Sequence, residues 1–213
     1  MDWDAAFERA EARYRGGEQR GLDQRQLTQL ANAAWAAGLC LLMAGCGDES
    51  AEWLRRAAAR YRESWDAGAP PDSWGRPVAA MKALLLAGDD ASGAARWALE
   101  AGAAEAESPI GRYAATLALL VLGRDDEALP LAETLRGRED FPGDVATALE
   151  ALAVHGGLGY AGAVEDVLRS FETRNEFLED VPVADTVLVL ERLAVERGIG
   201  SGLRFSDRLP QGA

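Results

Sequence analysis

An all-α fold, a short right-handed solenoid of about ten helices stacked as antiparallel pairs, is predicted by three features of this sequence. First, Gly88 to Ala95, Gly123 to Leu129 and Gly157 to Val164 align, and their alanines Ala94, Ala128 and Ala163 stand 34 and then 35 residues apart. Second, each stretch follows an apolar segment ending in glycine: ALLLAG to Gly88, ALLVLG to Gly123 and ALAVHG to Gly156. CLLMAG to Gly45 is an earlier copy, 43 residues before Gly88, and the excess matches an inserted loop at Asp66 to Arg76. Third, alanine dominates and β-branched runs are scarce, which favours close-packed helices over sheets.

The elements follow in order. Trp3 to Tyr14 is amphipathic, with Trp3, Phe7, Ala10 and Tyr14 on one side, and residues 1–21 form an N-terminal bracing helix that Gly16 and Gly17 end. Residues 22–178 carry the helix pairs. The first helix runs from about Leu22 or Asp23 to Ala44, with Leu27, Leu30, Ala31, Ala34, Gly38, Leu41 and Leu42 inward. Ala34 and Gly38 permit a close helix crossing. Asp48 or Ser50 opens the next helix, to about Trp65. Ala67 to Gly75 is a loop, because Pro70 and Pro71 forbid regular structure. Ser108 caps a helix that starts at Pro109, where the missing N–H costs nothing. Its stripe is Ile110, Tyr113, Ala114, Leu117, Leu120 and Val121, and Gly123 is its left-handed stop. Asp125 or Asp126 caps the following helix, whose Pro130 implies a bend or a late start. Val164, Val167, Leu168 and Phe171 face inward on a helix that runs to about Phe177. After a turn at Leu178 to Pro182, residues 179–198 hold the closing helix, and 199–213 are an irregular tail. Leu203 and Phe205 are expected to fold back onto Val187, Leu190 and Ala194, with Gln211 to Ala213 left mobile.

The glycine of the inter-helix turn and the acidic and alanine positions after it resemble the tetratricopeptide repeat family. Gly123, Asp126, Glu127 and Ala128 carry the likeness, as do Tyr160 and Ala163, over roughly Leu27 to Phe177. The first-helix tryptophan and glycine of that family have no counterpart near Arg112 and Thr116, and Asp125 replaces its turn aromatic. The resemblance implies an α-solenoid that binds proteins or peptides. Stacking is also required physically, since one helix pair cannot bury its apolar faces alone.

At 213 residues and 48% hydrophobic, the chain supports a single helical domain with an ample core. A net charge of −13 argues against broad nucleic-acid or anionic-membrane binding. No apolar run reaches the roughly 18 residues of a membrane span, and MDWDAAFERAEARYR is unlike a signal peptide, so a cytoplasmic protein is expected. Lys82 is the only lysine; arginine does the basic work elsewhere, a preference attributed first to base composition.

Catalytic chemistry is not expected. His155 is the only histidine and stands at a helix end without a nucleophile motif. Cys40 and Cys46 are expected to be buried thiols, six residues apart and pointing different ways. The acidic pairs Asp89 and Asp90, Asp125 and Asp126, and Glu179 and Asp180 are assigned to helix starts, where negative charge is stabilising. Gly156 to Gly162 lacks the Gly-Lys-Ser/Thr of a phosphate loop. No metal and no cofactor are expected.

Two features point to a partner. All six tryptophans lie in the first half, as core filling or as a groove lining. WLRRAAARYRESW is a basic patch whose arginines either pair with Glu52 and Glu63 or meet an anion or acidic peptide. The candidate partner-binding residues are Trp53, Arg56, Arg60 and Trp74. The expected function is a scaffold or adaptor that binds a protein or peptide in a groove of stacked helix pairs. The alternatives are an acidic inhibitor of immunity type that neutralises a basic partner, and a small-molecule-binding regulatory domain. The oligomeric state is left open, a homodimer included.

Overall fold

The computed structural model describes residues 1–211; Gly212 and Ala213 lie outside the described residues, and with them part of the segment expected to be mobile. Ten α-helices and two short 3-10 turns make up the regular structure of the described residues, with no strand among them. The helices are α1 Trp3–Gly17, α2 Gln24–Met43, α3 Gly47–Asp66, α4 Gly75–Leu86, α5 Ser92–Glu100, α6 Pro109–Val121, α7 Asp125–Arg136, α8 Gly143–Ala153, α9 Gly157–Thr173 and α10 Asp185–Glu196. The all-α expectation is met. The α2 start is fixed by a capping box, in which Asp23 accepts from the Gln26 N–H and the Gln26 side chain accepts from the Asp23 N–H. Ser108 accepts from the Gly111 N–H at 3.2 Å, with Pro109 in the first turn as expected. Pro130 lies inside α7 and does not end it.

One C-terminal device recurs. Gly45, Gly88, Gly123 and Gly198 take left-handed φ of 80°, 74°, 66° and 67°. In each case the next residue donates back to a carbonyl five positions earlier: Cys46 to Leu41, Asp89 to Leu84, Arg124 to Leu119 and Ile199 to Ala194. At the end of α8 the device shifts by one residue. His155, not Gly156, is left-handed, at φ 52°, and Gly156 donates to Ala151. A left-handed non-glycine costs about 1–2 kcal/mol, and histidine is among the residues that tolerate it best.

Consecutive helices pack on one another from α1 through α9, α4 also meets α6, and α6 meets α8. The α2–α3 contact is the most extensive. Ala34 and Gly38 permit it: a Cβ on Gly38 would stand 2.7 Å from Leu54 Cγ and 3.3 Å from its backbone nitrogen. Ser50 Oγ seals the crossing by donating to the Gly38 carbonyl at 2.8 Å.

The last helix departs from simple stacking. α10 packs on α9 but also returns to α4 and α8, and the turn Leu178–Asp180 meets α2. Val187, Leu190, Leu193 and Ala194 are buried there. Arg197, its side chain only 6% exposed, follows α10 and donates to the Leu120 carbonyl at 2.7 Å and to Asp125 Oδ1 at 2.5 Å. Asp125 therefore does not cap α7 by its side chain; it holds Arg197 and receives His155 Nε2 at 2.8 Å. The other acidic pairs also depart from simple capping. Asp90 does accept from the Ser92 N–H, but Asp89 pairs with Arg55. Glu179 and Asp180 are left-handed, at φ 57° and 58°, in the turn before α10, and Glu179 reaches Arg13.

The tail folds back, though not as expected. Leu203 and Leu209 pack against the core, while Phe205 is 67% exposed. Polar contacts fix this path. Arg204 spans Glu165 and Glu172, Ser206 is buried and donates to Glu172, and the Ala184 N–H donates to the Arg208 carbonyl. Of the cysteines, Cys40 is buried, and burial pushes its thiol up to about 11. Cys46 is exposed, because it occupies the position before α3 rather than a helix face, which corrects the expectation for that residue.

Replacing Gly38 by alanine should destabilise the protein by about 1–3 kcal/mol, since Leu54 has no room to give. Gly93→Ala in α5, where a Cβ meets nothing within 4 Å, should stabilise by up to about 1 kcal/mol. Urea unfolding of the two variants checks the pair of opposite signs. Burial raises the Asp125 carboxyl pKa, but the hydrogen bonds from Arg197 and His155 outweigh it and hold the group below the usual carboxylate range. Its stabilisation is complete above its ordinary pKa and is lost as pH falls through the depressed one. Asp125→Asn should cost about 1–3 kcal/mol near neutral pH. The gap to the native protein should narrow as pH falls below the ordinary carboxylate range, as read by urea midpoints at neutral and acid pH.

Candidate functional site

The four residues singled out by the sequence do not form one open surface. Trp53 is 6% exposed, wedged edge-on by Phe7 and Tyr14, with centroids at 6.0 and 5.2 Å. It belongs to the α1–α3 brace. Trp74 is also 6% exposed, and its indole lies against Gly111 of α6 and the ring of Trp65 at 5.7 Å. Trp65 stacks edge-on with Trp97 in turn, so the Pro70–Pro71 loop ends by plugging a core junction. Neither ring offers a partner face. Arg56 and Arg60 do reach the surface. Arg56 lies 4.6 Å over Trp53 and near Glu52, while Arg60 binds Glu63, Glu18 and the Tyr14 hydroxyl. With Arg55 on Asp89 and Arg62 on Asp66, this patch is internally neutralised.

Two clefts carry more potential. The first, about 480 Å³, lies among α2, α4, the end of α9 and the start of α10. Lys82 projects from α4 to its wall, donating to Asp185 Oδ2 at 2.6 Å and to Thr186 Oγ1 at 3.1 Å. The side chains of Lys82 and Asp185 are only 12% and 17% exposed. Burial pulls the lysine pKa down, but the adjacent Asp185 carboxylate overrides it, and the ammonium is held above its ordinary range. The Trp35 ring is 5.7 Å from Lys82 Nζ. Sequence reasoning noted Lys82 only as the single lysine of an arginine-rich chain and gave it no role. The usable signal was its position, a lone lysine inside the apolar run AAMKALLL.

The second cleft, about 630 Å³, lies between α4, α10, Leu42 of α2 and the tail. Leu42, Leu85, Leu86, Leu188, Leu203 and Leu209 give it an apolar lining. Val195 and Phe205 border it with 68% and 67% exposure. Glu191 at its side is already satisfied, accepting from the Tyr160 hydroxyl at 2.7 Å and from Ser201. No sequence pattern marked this cleft, because it exists only where the tail returns. Among the described residues no cluster of histidine, cysteine and carboxylate side chains is arranged to hold a metal ion, and no helix is long and apolar enough to cross a membrane.

Compared with protein-family models, with curated proteins and with solved structures, the chain matches none of them.

Removing one partner of the Lys82–Asp185 pair leaves the other charge buried alone. Lys82→Met should therefore cost about 3–5 kcal/mol. Adding Asp185→Asn, which keeps an acceptor for the Thr186 N–H now bonded at 2.8 Å, should recover a large part of that loss. A double-mutant cycle by urea unfolding reads the coupling.

Proposed function

We propose that the protein is a non-catalytic interaction module whose helix pairs follow the tetratricopeptide pattern and whose partner is a protein segment. The repeat period, the shared C-terminal cap and the packing of consecutive helices support a short right-handed stack of pairs. The observation that carries the function is the apolar cleft beside the tail. Two large apolar side chains, Phe205 and Val195, stand largely in solvent at its border. Exposed apolar patches of this kind mark interaction sites more often than they serve the fold. The partner fitted to it presents apolar side chains to the cleft and basic residues to a chain of net charge −13. The docking place differs from the groove expected of open helix pairs, since α10 itself lies against α4 and α8.

The second reading, an acidic inhibitor of a basic toxin or nuclease, draws on the same net charge and would use carboxylates rather than the cleft. Phe205→Asp separates the two. Phe205 is exposed, so the variant should keep the native thermal stability. Capture of a partner from the native cell should be lost with Phe205→Asp and should survive about 0.5 M salt with the native chain. Capture that ignores Phe205→Asp but collapses with salt overturns the cleft reading in favour of the inhibitor.

A further inference from the structure

The Lys82 cleft has a composition unlike the rest of this acidic surface. Trp35 and the Lys82–Asp185 pair line it together with Phe171, Phe177 and Arg174, and Glu176 is the second carboxylate of the lining. It adjoins a smaller hollow of about 270 Å³ that shares Arg174 and Phe177 and ends at Arg208. The two arginines lie over aromatic rings. The Arg174 guanidinium is 3.9 Å from the Phe171 ring centroid, and that of Arg208 is 5.2 Å from Phe177.

Neither arginine has a carboxylate of the described residues within 4.0 Å, although acids outnumber basic residues 35 to 22 in the chain. Arg174 donates only to Ser170 Oγ, at a long 3.3 Å. Lys82 has three N–H donors, and two are used by Asp185 and Thr186. Lys82 and Arg174 also repel one another across the cleft. An anion placed between them would relieve that repulsion and take the free donors of both.

The remaining wall is mainly apolar, three aromatic rings with Leu39, Leu178, Val181 and Val183, and the volume of about 480 Å³ falls in the range of small-molecule sites. A guanidinium already oriented by a ring loses little freedom on binding a carboxylate with two parallel hydrogen bonds. We propose that this cleft binds a small aromatic carboxylate, with its acid group on Arg174 and Lys82 and its ring among Trp35, Phe171 and Phe177. Arg208, at the far end of the adjoining hollow, attracts the anion to the mouth without reaching the buried acid group. Because the floor of the site joins α4 to the start of α10, a ligand there bears on the contact that closes the fold. The site is separate from the apolar cleft beside the tail and does not depend on it.

Phenylacetate is the probe, titrated into the full chain and followed by amide and indole NMR shifts. Saturable shifts are expected for the Trp35 indole and for residues 174–186, with half-saturation at or below about 10 mM. Phenylacetamide, the same shape without the charge, should bind at least about tenfold more weakly. Arg174 is exposed, so Arg174→Gln should fold normally and weaken phenylacetate by about tenfold while leaving phenylacetamide unchanged. Equal binding of acid and amide, insensitivity to Arg174→Gln, or shifts that do not saturate would each overturn the proposal.

Discussion

The fold depends on the buried guanidinium of Arg197. Helix pairs stacked in sequence touch only their neighbours and leave an apolar face open at the end of the row. Here the last helix is turned back, and Arg197 fixes where it lands. It bonds the Leu120 carbonyl at the end of α6 and the Asp125 carboxylate at the start of α7, while a third bond to the Leu193 carbonyl stiffens its own helix. A helix C-terminus leaves carbonyls without partners, and a cation there is favourable on both counts. The same arginine thus adds a bond at one helix end, neutralises the carboxylate at one helix start and locates a third helix. Lys82 and Asp185 do the matching work at the other end of α10.

His155 shows how that constraint reaches the earlier helices. Six helices end on a left-handed glycine, Gly45, Gly68, Gly88, Gly102, Gly123 or Gly198, which pays no steric penalty. At the end of α8 the left-handed position falls on a histidine although two glycines follow it. The side chain supplies the reason. From that position the imidazole meets Asp125, the carboxylate already held by Arg197. The contact offsets a strain that glycine would have avoided, and it links α8 to the closing helix through one shared acid.

Charge is arranged to hold elements together across long stretches of sequence. Arg55 with Asp89, Arg13 with Glu179, and Arg204 with Glu165 and Glu172 each join distant parts of the chain. Such half-exposed pairs add little stability individually. Their effect is to fix the position of segments with few apolar contacts, above all the tail. Arg204 and Ser206 anchor the strand of chain on α9, and Phe205 between them is left pointing outward. The apolar cleft and its exposed border are products of that anchoring.

Local and neighbouring-helix structure was legible in the sequence. The glycine stops, the Ser108–Pro109 start and the Ala34–Gly38 crossing are all set by residues close in sequence, where sterics and backbone hydrogen bonding act over short separations. Tryptophans could be recognised as important but not placed. A ring that fills a core gap and a ring that lines a groove have the same sequence, and Trp53 and Trp74 proved to be buried because α1 and α6 come to meet them. The partners of Asp125, Arg197 and Lys82 could not be read for a related reason. Their partners lie 72 residues away for Asp125 and Arg197 and 103 for Lys82 and Asp185. Sequence determines what each helix buries, because burial follows periodicity. Which buried or charged face meets which other is decided only when the chain closes, since contact energies depend on distance in space and not along the backbone.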